Sequence, residues 1–169
     1  YMLARNAVLP SQRRWLFAGA VVIANLPDFD ILPGLLRGNP SAFHHQETHS
    51  LAAAVLFGLL IGGLARQWQG NGIGWAVWAG GLYLSHIILD LSLDDPSPPY
   101  GLQLLWPFSS AYFISPFTPF ESFSYTHSLM ESIGLLFSPH NLNTMTRELV
   151  LMAPFVGLAW YLGSTGRRS

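Results

Sequence analysis

Long apolar runs that contain no charged residue set the first limit on how this chain can fold. Four of them, at 15–26, 50–65, 73–89 and 149–162, have the composition of helices that lie in lipid. Each is shorter than the about 20 residues that a straight crossing needs, so a soluble helical bundle is the alternative. Their Gly- and Ala-rich surfaces favour helix packing in a membrane. We expect an all-α, polytopic membrane protein with about four membrane-embedded helices, forming one domain over residues 1–169.

Composition agrees with a membrane protein and limits its partners. The chain is 50% hydrophobic and 10% charged, whereas soluble domains are usually about a quarter charged. Its net charge of -1 offers no basic patch, so we expect no nucleic-acid partner. Because there is no cysteine, any metal site must use His, Asp, Glu or backbone oxygen. Such a donor set favours a divalent metal, zinc first, with manganese, iron and magnesium as alternatives.

Proline and glycine mark the segments that separate the runs. Residues 10–14 predict a turn, and residues 31–49 predict a loop. Residues 92–126 are rich in proline and in aromatic side chains, which exclude a long helix and suit the membrane interface. We expect an interfacial loop there, followed by a short helix at 128–137.

The arginines give the expected orientation. If each of the four runs crosses once, six arginines fall on one side, which the positive-inside rule makes cytoplasmic. All nine acidic residues and five of the six histidines fall on the other side, with His86 about one helical turn below. We therefore expect a multi-pass protein of the cytoplasmic (inner) membrane with its polar site on the non-cytoplasmic face. The six arginines are Arg5, Arg13, Arg14, Arg66, Arg167 and Arg168.

Three histidines precede the second run, in the segment His44-His45-Gln46-Glu47-Thr48-His49-Ser50. Histidine is the commonest metal ligand and a common proton shuttle. Thr48 is a good helix N-cap, which predicts His49 in the first helical turn, where the helix dipole favours the neutral imidazole that binds metal. The alternative is a polar loop that only caps a hydrophobic helix.

Two further motifs add carboxylates. His86 and Asp90 stand four residues apart, so they share a helix face and can bind one metal ion; the alternative is a hydrogen bond at a helix end. Asp28 and Asp30 follow the first run, where they can bind a hard cation or simply be solvated. Ionisable groups beside a membrane span are costly, which favours a functional interpretation.

A second Thr-His-Ser sequence, Thr126-His127-Ser128, lies at another predicted helix start, with Glu131 four residues after the histidine. His127 is a candidate metal ligand on this pattern. The alternative is a capping box made by Ser128 and Glu131.

Four motifs in this order resemble the YdjM-like family, described as LexA-binding, inner-membrane-associated, metal-dependent hydrolases. Its pattern is Pro-Asp-x-Asp, His-Arg-Gly-x-Thr-His-Ser, Ser-His-x-x-x-Asp and Trp-Pro-Phe-Ser. Here these are residues 27–30, 44–50, 85–90 and 106–109. His45 and Gln46 replace the Arg-Gly of the pattern, and the family's histidine near the N-terminus has no equivalent. A more distant similarity is to zinc-dependent phospholipase C and P1 nuclease, which implies phosphoester chemistry.

The resemblance and the residues together predict a metal-dependent hydrolase that acts on a phosphoester or lipid-like substrate at the membrane surface. Asp30, as general base, and His49 would be the catalytic residues, and membrane lipid the partner. The alternative is a non-enzymatic structural subunit of a larger membrane-protein complex; an ion or proton pathway is weaker, because only His86 approaches mid-span. The expected metal ligands are Asp28, Asp30, His44, His49, His86, Asp90 and His127.

Overall fold

The computed structural model describes residues 10–38, 43–95, 100–124, 126 and 129–165. Within them the chain is helical, as expected, and no strand forms; two isolated bridges pair Leu102 with Phe113 and Leu93 with Phe120. Two 3₁₀ turns, Pro27–Asp30 and Glu47–His49, precede α2 and α3. The helices are α1 (Pro10–Ala24), α2 (Ile31–Leu36), α3 (Leu51–Gln69), α4 (Gly72–Leu91), α5 (Leu129–Leu135) and α6 (Pro139–Thr165).

In the part of the chain that the structure describes, fewer helices meet the requirements of a membrane span than the sequence predicts. Leu51–Trp68 and Gly72–Leu91 are long and apolar enough, against four expected crossings. A third span results if Trp15–Ala24 and Pro27–Gly34, which meet at a bend of 53°, act as one. The expected crossing at 149–162 lies inside α6, whose side chains from residue 155 onwards are outside the described residues.

Two local expectations were wrong. The turn expected at residues 10–14 is helical, because proline at a first helical position loses no hydrogen bond and already has a helical φ. Part of the loop expected at residues 31–49 forms the short helix α2, since Pro33 and Gly34 fall early enough in the helix to be tolerated.

The chain forms two compact units, Tyr1–Ser92 with Ser97–Phe117, and Leu93–Pro96 with Thr118–Ser169. In the second unit, buried Asn141 organises the start of α6. Its side-chain oxygen accepts the Ser124 amide at 2.8 Å, and its amide nitrogen donates to the carbonyls of Ser124 and Leu135 at 3.0 and 2.8 Å. This residue therefore joins α6 to the segment before α5 and to the end of α5.

In the first unit, α3 and α4 form a helical hairpin. Gly70 takes the left-handed conformation (φ 75°) that ends α3, and Asn71 caps α4 by accepting the Gly74 amide at 3.0 Å. The helices have 19 and 20 residues, so the start of α3 and the end of α4 come to the same end of the hairpin. The polar segments before α3 and at the end of α4 are thus brought together.

Small residues let the two helices of the hairpin approach closely. A Cβ added to Gly58 would lie 2.7 Å from the carbonyl oxygen of Ala76, and one added to Gly62 would lie 2.6 Å from the Ala76 Cβ. Without such close contact, helices in lipid gain little from packing, because lipid tails are as apolar as their side chains. Gly63, one position along α3, has open space around its Cβ position.

The start of α3 is fixed by three backbone contacts. Ser50, not Thr48, is the N-cap: its Oγ accepts the Ala53 amide at 3.1 Å, and it donates to the Glu47 carbonyl at 2.7 Å. His49 therefore lies before the helix, in the 3₁₀ turn, rather than in its first turn as expected. The Leu51 amide, which has no partner inside α3, donates to the Leu104 carbonyl at 3.0 Å.

The Pro- and aromatic-rich loop has a structural role beyond the interfacial one expected. Leu102 is fully buried, in the core cluster of the hairpin with Ala54, Tyr83 and Ile87. The Gln103 amide donates to the His45 carbonyl at 3.1 Å. Together with the bond between Leu51 and Leu104, this contact holds the backbone at both ends of the histidine-rich segment.

We expect Gly58→Ala to destabilise the protein, although alanine is the better helix former by about 1 kcal/mol. The added methyl group forces α3 away from the Ala76 carbonyl. Gly63→Ala, the matched control, gains the same propensity without a clash and should be neutral or stabilising. Thermal unfolding of both variants in one detergent checks this. Equal melting temperatures would contradict the close packing.

Candidate metal centre

Three segments place ionisable side chains at the open end of the hairpin. The Pro27–Asp30 turn supplies Asp28 and Asp30, the Glu47–His49 turn supplies His49, and the last turns of α4 supply His86 and Asp90. The antiparallel hairpin accounts for the meeting of His49 with Asp90, and the i, i+4 spacing for that of His86 with Asp90. Residues far apart in the sequence thus form one cluster.

Four donor atoms face one another at the centre of this cluster. The His49 Nε2 lies 3.6 Å from Asp28 Oδ1 and 3.2 Å from Asp90 Oδ2. The His86 Nε2 lies 3.2 Å from each of the same two oxygens. All four atoms lie within 4.8 Å of one another. We call Asp28, His49, His86 and Asp90 the four-residue centre.

The burial of the centre differs between its members. The His49 side chain is 0% exposed, Asp90 and His86 are 11% and 12% exposed, and Asp28 is 40% exposed. The His49 Nε2 and the Asp90 Oδ2 are buried and lie 3.2 Å apart, but in the part of the chain that the structure describes neither makes a hydrogen bond of acceptable geometry. Buried polar atoms of this kind are rare, and an ion that they bind is one explanation.

The donor set fits a divalent metal by two measures. Ligands about 2.0–2.1 Å from a tetrahedral zinc ion lie roughly 3.3–3.4 Å apart, close to the 3.2–3.6 Å of the four contacts given above. Two imidazole nitrogens and two carboxylate oxygens also suit zinc, iron and manganese. The four-residue centre can therefore hold one such ion.

Asp30 lies on the other side of the His49 ring. Its Oδ2 is 3.1 Å from the His49 Nδ1 and accepts the Thr48 hydroxyl at 2.6 Å, while its Oδ1 is 2.9 Å from the His44 Nδ1. A carboxylate behind a histidine fixes which ring nitrogen carries the proton and leaves the other available to a metal. Asp30 and His44 are thus placed to orient His49.

The charge state of His49 differs from the sequence expectation. Burial opposes the protonated ring, but the carboxylates of Asp28, Asp30 and Asp90 outweigh burial and raise the pKa of His49 to about 11. The expected neutral imidazole rested on a helix dipole, which acts weakly here because His49 precedes the N-cap. Without metal, His49 therefore carries the proton that balances part of the carboxylate charge.

Three histidines form a second group on the same segment. Ligand atoms of His44, His45 and His49 lie within 4.8 Å of one another, and the rings of His44 and His45 are 4.0 Å apart. His45 has a φ of 65°, which is uncommon for a residue with a side chain, and its carbonyl accepts the Gln103 amide. The left-handed turn here therefore depends on the loop at residues 102–104.

A family model matches residues 1–166 and describes a YdjM inner membrane protein. The chain belongs to this family. Its apolar helices accord with the membrane location that the family description gives, and the expected family resemblance is confirmed. No curated protein and no solved structure matches the chain. The more distant similarity to phospholipase C and P1 nuclease therefore has no support from these comparisons.

The structure brings most of the expected site residues of this YdjM family member together. Asp28, His49, His86 and Asp90 form the centre, and Asp30 and His44 lie behind His49. His127 lies outside the described residues, so its role as a ligand stays a prediction. The Tyr83 hydroxyl, which donates to the Thr48 carbonyl at 2.8 Å, was missed, because only the hairpin brings α4 beside residue 48.

We expect His49→Ala and Asp90→Ala to abolish metal binding, because each removes a donor atom and leaves the charge on the remaining side chains of the centre without its partner. Asp30→Asn should weaken it by about 10–100-fold, since it removes only the group that orients His49. His140→Ala, on an exposed side chain of the second unit, is the control. Metal content after equilibrium dialysis measures all four. Full metal content in His49→Ala or in Asp90→Ala would exclude the four-residue centre.

Metal affinity should rise with pH. Because the pKa of His49 is about 11 without metal, the ion must displace a proton at neutral pH. Each displaced proton makes the affinity about tenfold higher per pH unit, which calorimetry in buffers of different ionisation enthalpy detects as proton release. The stability of the metal-free protein should change with pH in the opposite direction. The protonated His49 ring contributes its full stabilisation below the unfolded pKa of about 6.5, and this contribution is lost as pH approaches 11. Affinity that does not change from pH 6 to 8 would contradict this assignment.

Proposed function

We propose that this chain is a membrane-embedded metal-dependent hydrolase that acts on a phosphoester at the membrane surface. The observation that carries the proposal is the four-residue centre, in which the donor nitrogens lie 3.2–3.6 Å from the donor oxygens, as ligands of one metal ion would. Zinc is the metal we propose first. A resident ion would polarise a phosphoryl oxygen and acidify a bound water.

The four donors have different roles in this proposal. His49, His86 and Asp90 are at least seven-eighths buried and would hold the ion firmly. Both oxygens of Asp30 already contact His44, Thr48 or His49. We therefore propose that Asp30 positions His49, in place of the ligand and general-base roles that the sequence suggests for it.

Asp28 is the residue that we propose as general base. Its side chain is the most exposed of the four, so substrate and water reach the centre on its side. The Oδ1 atom faces His49 and His86, and the second carboxylate oxygen can accept the proton of an attacking water. With His49, His86 and Asp90 as the three protein ligands that catalytic zinc sites usually have, the position on the Asp28 side would be open to water.

We further propose a multi-pass arrangement with the metal centre on the non-cytoplasmic face. Arg66 lies in the last turn of α3, near the hairpin turn and at the end of the helices away from His49. The positive-inside rule places such an arginine in the cytoplasm, which supports the opposite face for the centre. A site at the start of α3 also lies near headgroup depth.

A structural subunit with a structural metal is the second candidate. The observation that favours it is that the centre offers four protein donors, the number found in structural zinc sites. Under this alternative the ion would tie α4 to the turns at 27–30 and 47–49, and a larger membrane complex would cover the apolar outer faces.

The test uses the full chain in lipid nanodiscs, loaded with zinc. Its probes are p-nitrophenyl phosphate, bis(p-nitrophenyl) phosphate and phosphatidic acid. We expect hydrolysis of at least one, reduced about 100-fold or more by Asp28→Asn, because general-base catalysis contributes that much. Asp94→Asn, on an exposed acid of the second unit, should change the rate less than twofold.

The structural alternative predicts different results. Zinc-loaded protein would hydrolyse none of the probes, and gentle solubilisation would give a complex of fixed stoichiometry. Asp28→Asn would then lower the melting temperature of the zinc-loaded protein without any activity to lose.

A further inference from the structure

The loop that follows the hairpin carries exposed apolar side chains and no charge. Residues 96–120 contain no Asp, Glu, Lys, Arg or His. Within the described part of this loop, Phe108 is 93% exposed, Phe117 73% and Ile114 56%. A cluster of large apolar side chains on a protein surface marks contact with a partner or a membrane. The loop therefore has the composition of a segment that is covered by something other than water.

The root of the loop lies at the start of a candidate membrane span. Leu102 is buried, and its backbone pairs with that of Phe113 through two hydrogen bonds of 2.9 and 2.8 Å. The Leu104 carbonyl accepts the amide of Leu51, the first residue of the candidate span Leu51–Trp68. The exposed part of the loop follows directly along the chain. It therefore leaves the core at the level where this span begins.

The backbone of the loop tip, residues 105–111, forms hydrogen bonds within the tip. The amides of Phe108 and Ser109 donate to the Leu105 carbonyl at 2.9 and 3.2 Å. The Ser109 Oγ accepts the Ala111 amide at 3.1 Å. An amide that already has a protein acceptor can leave water at little cost, whereas an unpaired amide is costly to place in lipid. The tip thus meets a condition that water-exposed loops often do not meet.

We propose that this loop inserts its exposed apolar side chains into the lipid leaflet at the metal-centre end of the first unit, with Phe108 at the tip. Lipid is the occupant because the patch adjoins the start of a candidate span and offers no charge to a polar partner. The Gln103 amide at the root donates to the His45 carbonyl, so the inserted loop holds the histidine-rich segment at the membrane surface. The sequence predicts an interfacial position for residues 92–126, and the structure selects the turn around Phe108 as the part that enters the bilayer. Insertion of this turn does not require the hydrolase activity proposed above.

The test uses single cysteines that carry a nitroxide label, since the chain has no cysteine of its own. Ser110→Cys places the label at the tip, with its Cα at most about 7 Å from that of Phe108, and removes no apolar side chain. Glu47→Cys, at an exposed acid before α3, is the water reference, and Leu56→Cys, 62% exposed within the candidate span, is the lipid reference. Power-saturation EPR of the full chain in phosphatidylcholine nanodiscs compares the accessibility of each label to oxygen and to the nickel complex of ethylenediaminediacetate.

We expect the label at Ser110 to be accessible to oxygen and protected from nickel, at a depth of about 5–10 Å, the range for elements that lie in the membrane interface. Phe108→Ser in the same labelled protein should return the label to the accessibility measured at Glu47. Phe137→Ser, the matched control, removes a phenylalanine that is 76% exposed in the second unit and should leave the depth unchanged. Because the Phe108 side chain contributes little to the core, its replacement should leave the melting temperature unchanged.

Three results would overturn the proposal. Nickel accessibility at Ser110 equal to that at Glu47, with Phe108 in place, puts the loop in water. A depth at Ser110 that persists in Phe108→Ser rejects Phe108 as the inserted side chain. Spin–spin broadening between Ser110 labels, lost when labelled protein is diluted with unlabelled protein in the same nanodiscs, assigns the patch to a second copy of the chain.

Discussion

A buried histidine with a carboxylate at each ring nitrogen is the interaction on which the rest of this structure depends. The His49 Nδ1 faces Asp30, and its Nε2 faces Asp28 and Asp90. Such a group is costly to bury unless charge on both sides is balanced, whether by a proton or by a metal ion. The Thr48 hydroxyl contacts both Asp30 and the His49 ring, and the Tyr83 hydroxyl binds the Thr48 carbonyl, so both help to position the ring.

Close helix packing makes that arrangement available. His86 and Asp90 have a fixed relation because they share α4, but their distance to His49 depends on how α3 and α4 pack. The contacts at Gly58 and Gly62 set this distance at the level of the backbone. If this packing changes, rearranged side chains cannot restore the distance from His49 to the α4 residues, because the atoms in contact are carbonyls and Cα or Cβ atoms.

Much of this could be predicted from the sequence. The helical class follows from the apolar runs, and the pairing of His86 with Asp90 follows from their spacing. The different positions of Asp28 and Asp30 could not be predicted, because no sequence pattern specifies which of the two carboxylates in the 3₁₀ turn faces the His49 Nε2 and which faces its Nδ1. The role of Leu104 was also hidden, since it acts through its carbonyl, which every residue carries.

The order in which the four donors occur along the chain has a consequence for biogenesis. Asp28 is synthesised first, His49 next, and His86 and Asp90 only with the end of α4. A nascent chain that ends before Asp90 lacks part of the donor set. A longer one brings the four donors together only after α4 has turned back along α3. A metal ion at the proposed centre would therefore bind only after the hairpin has formed, and its presence would report that the segments carrying the four donors have come together.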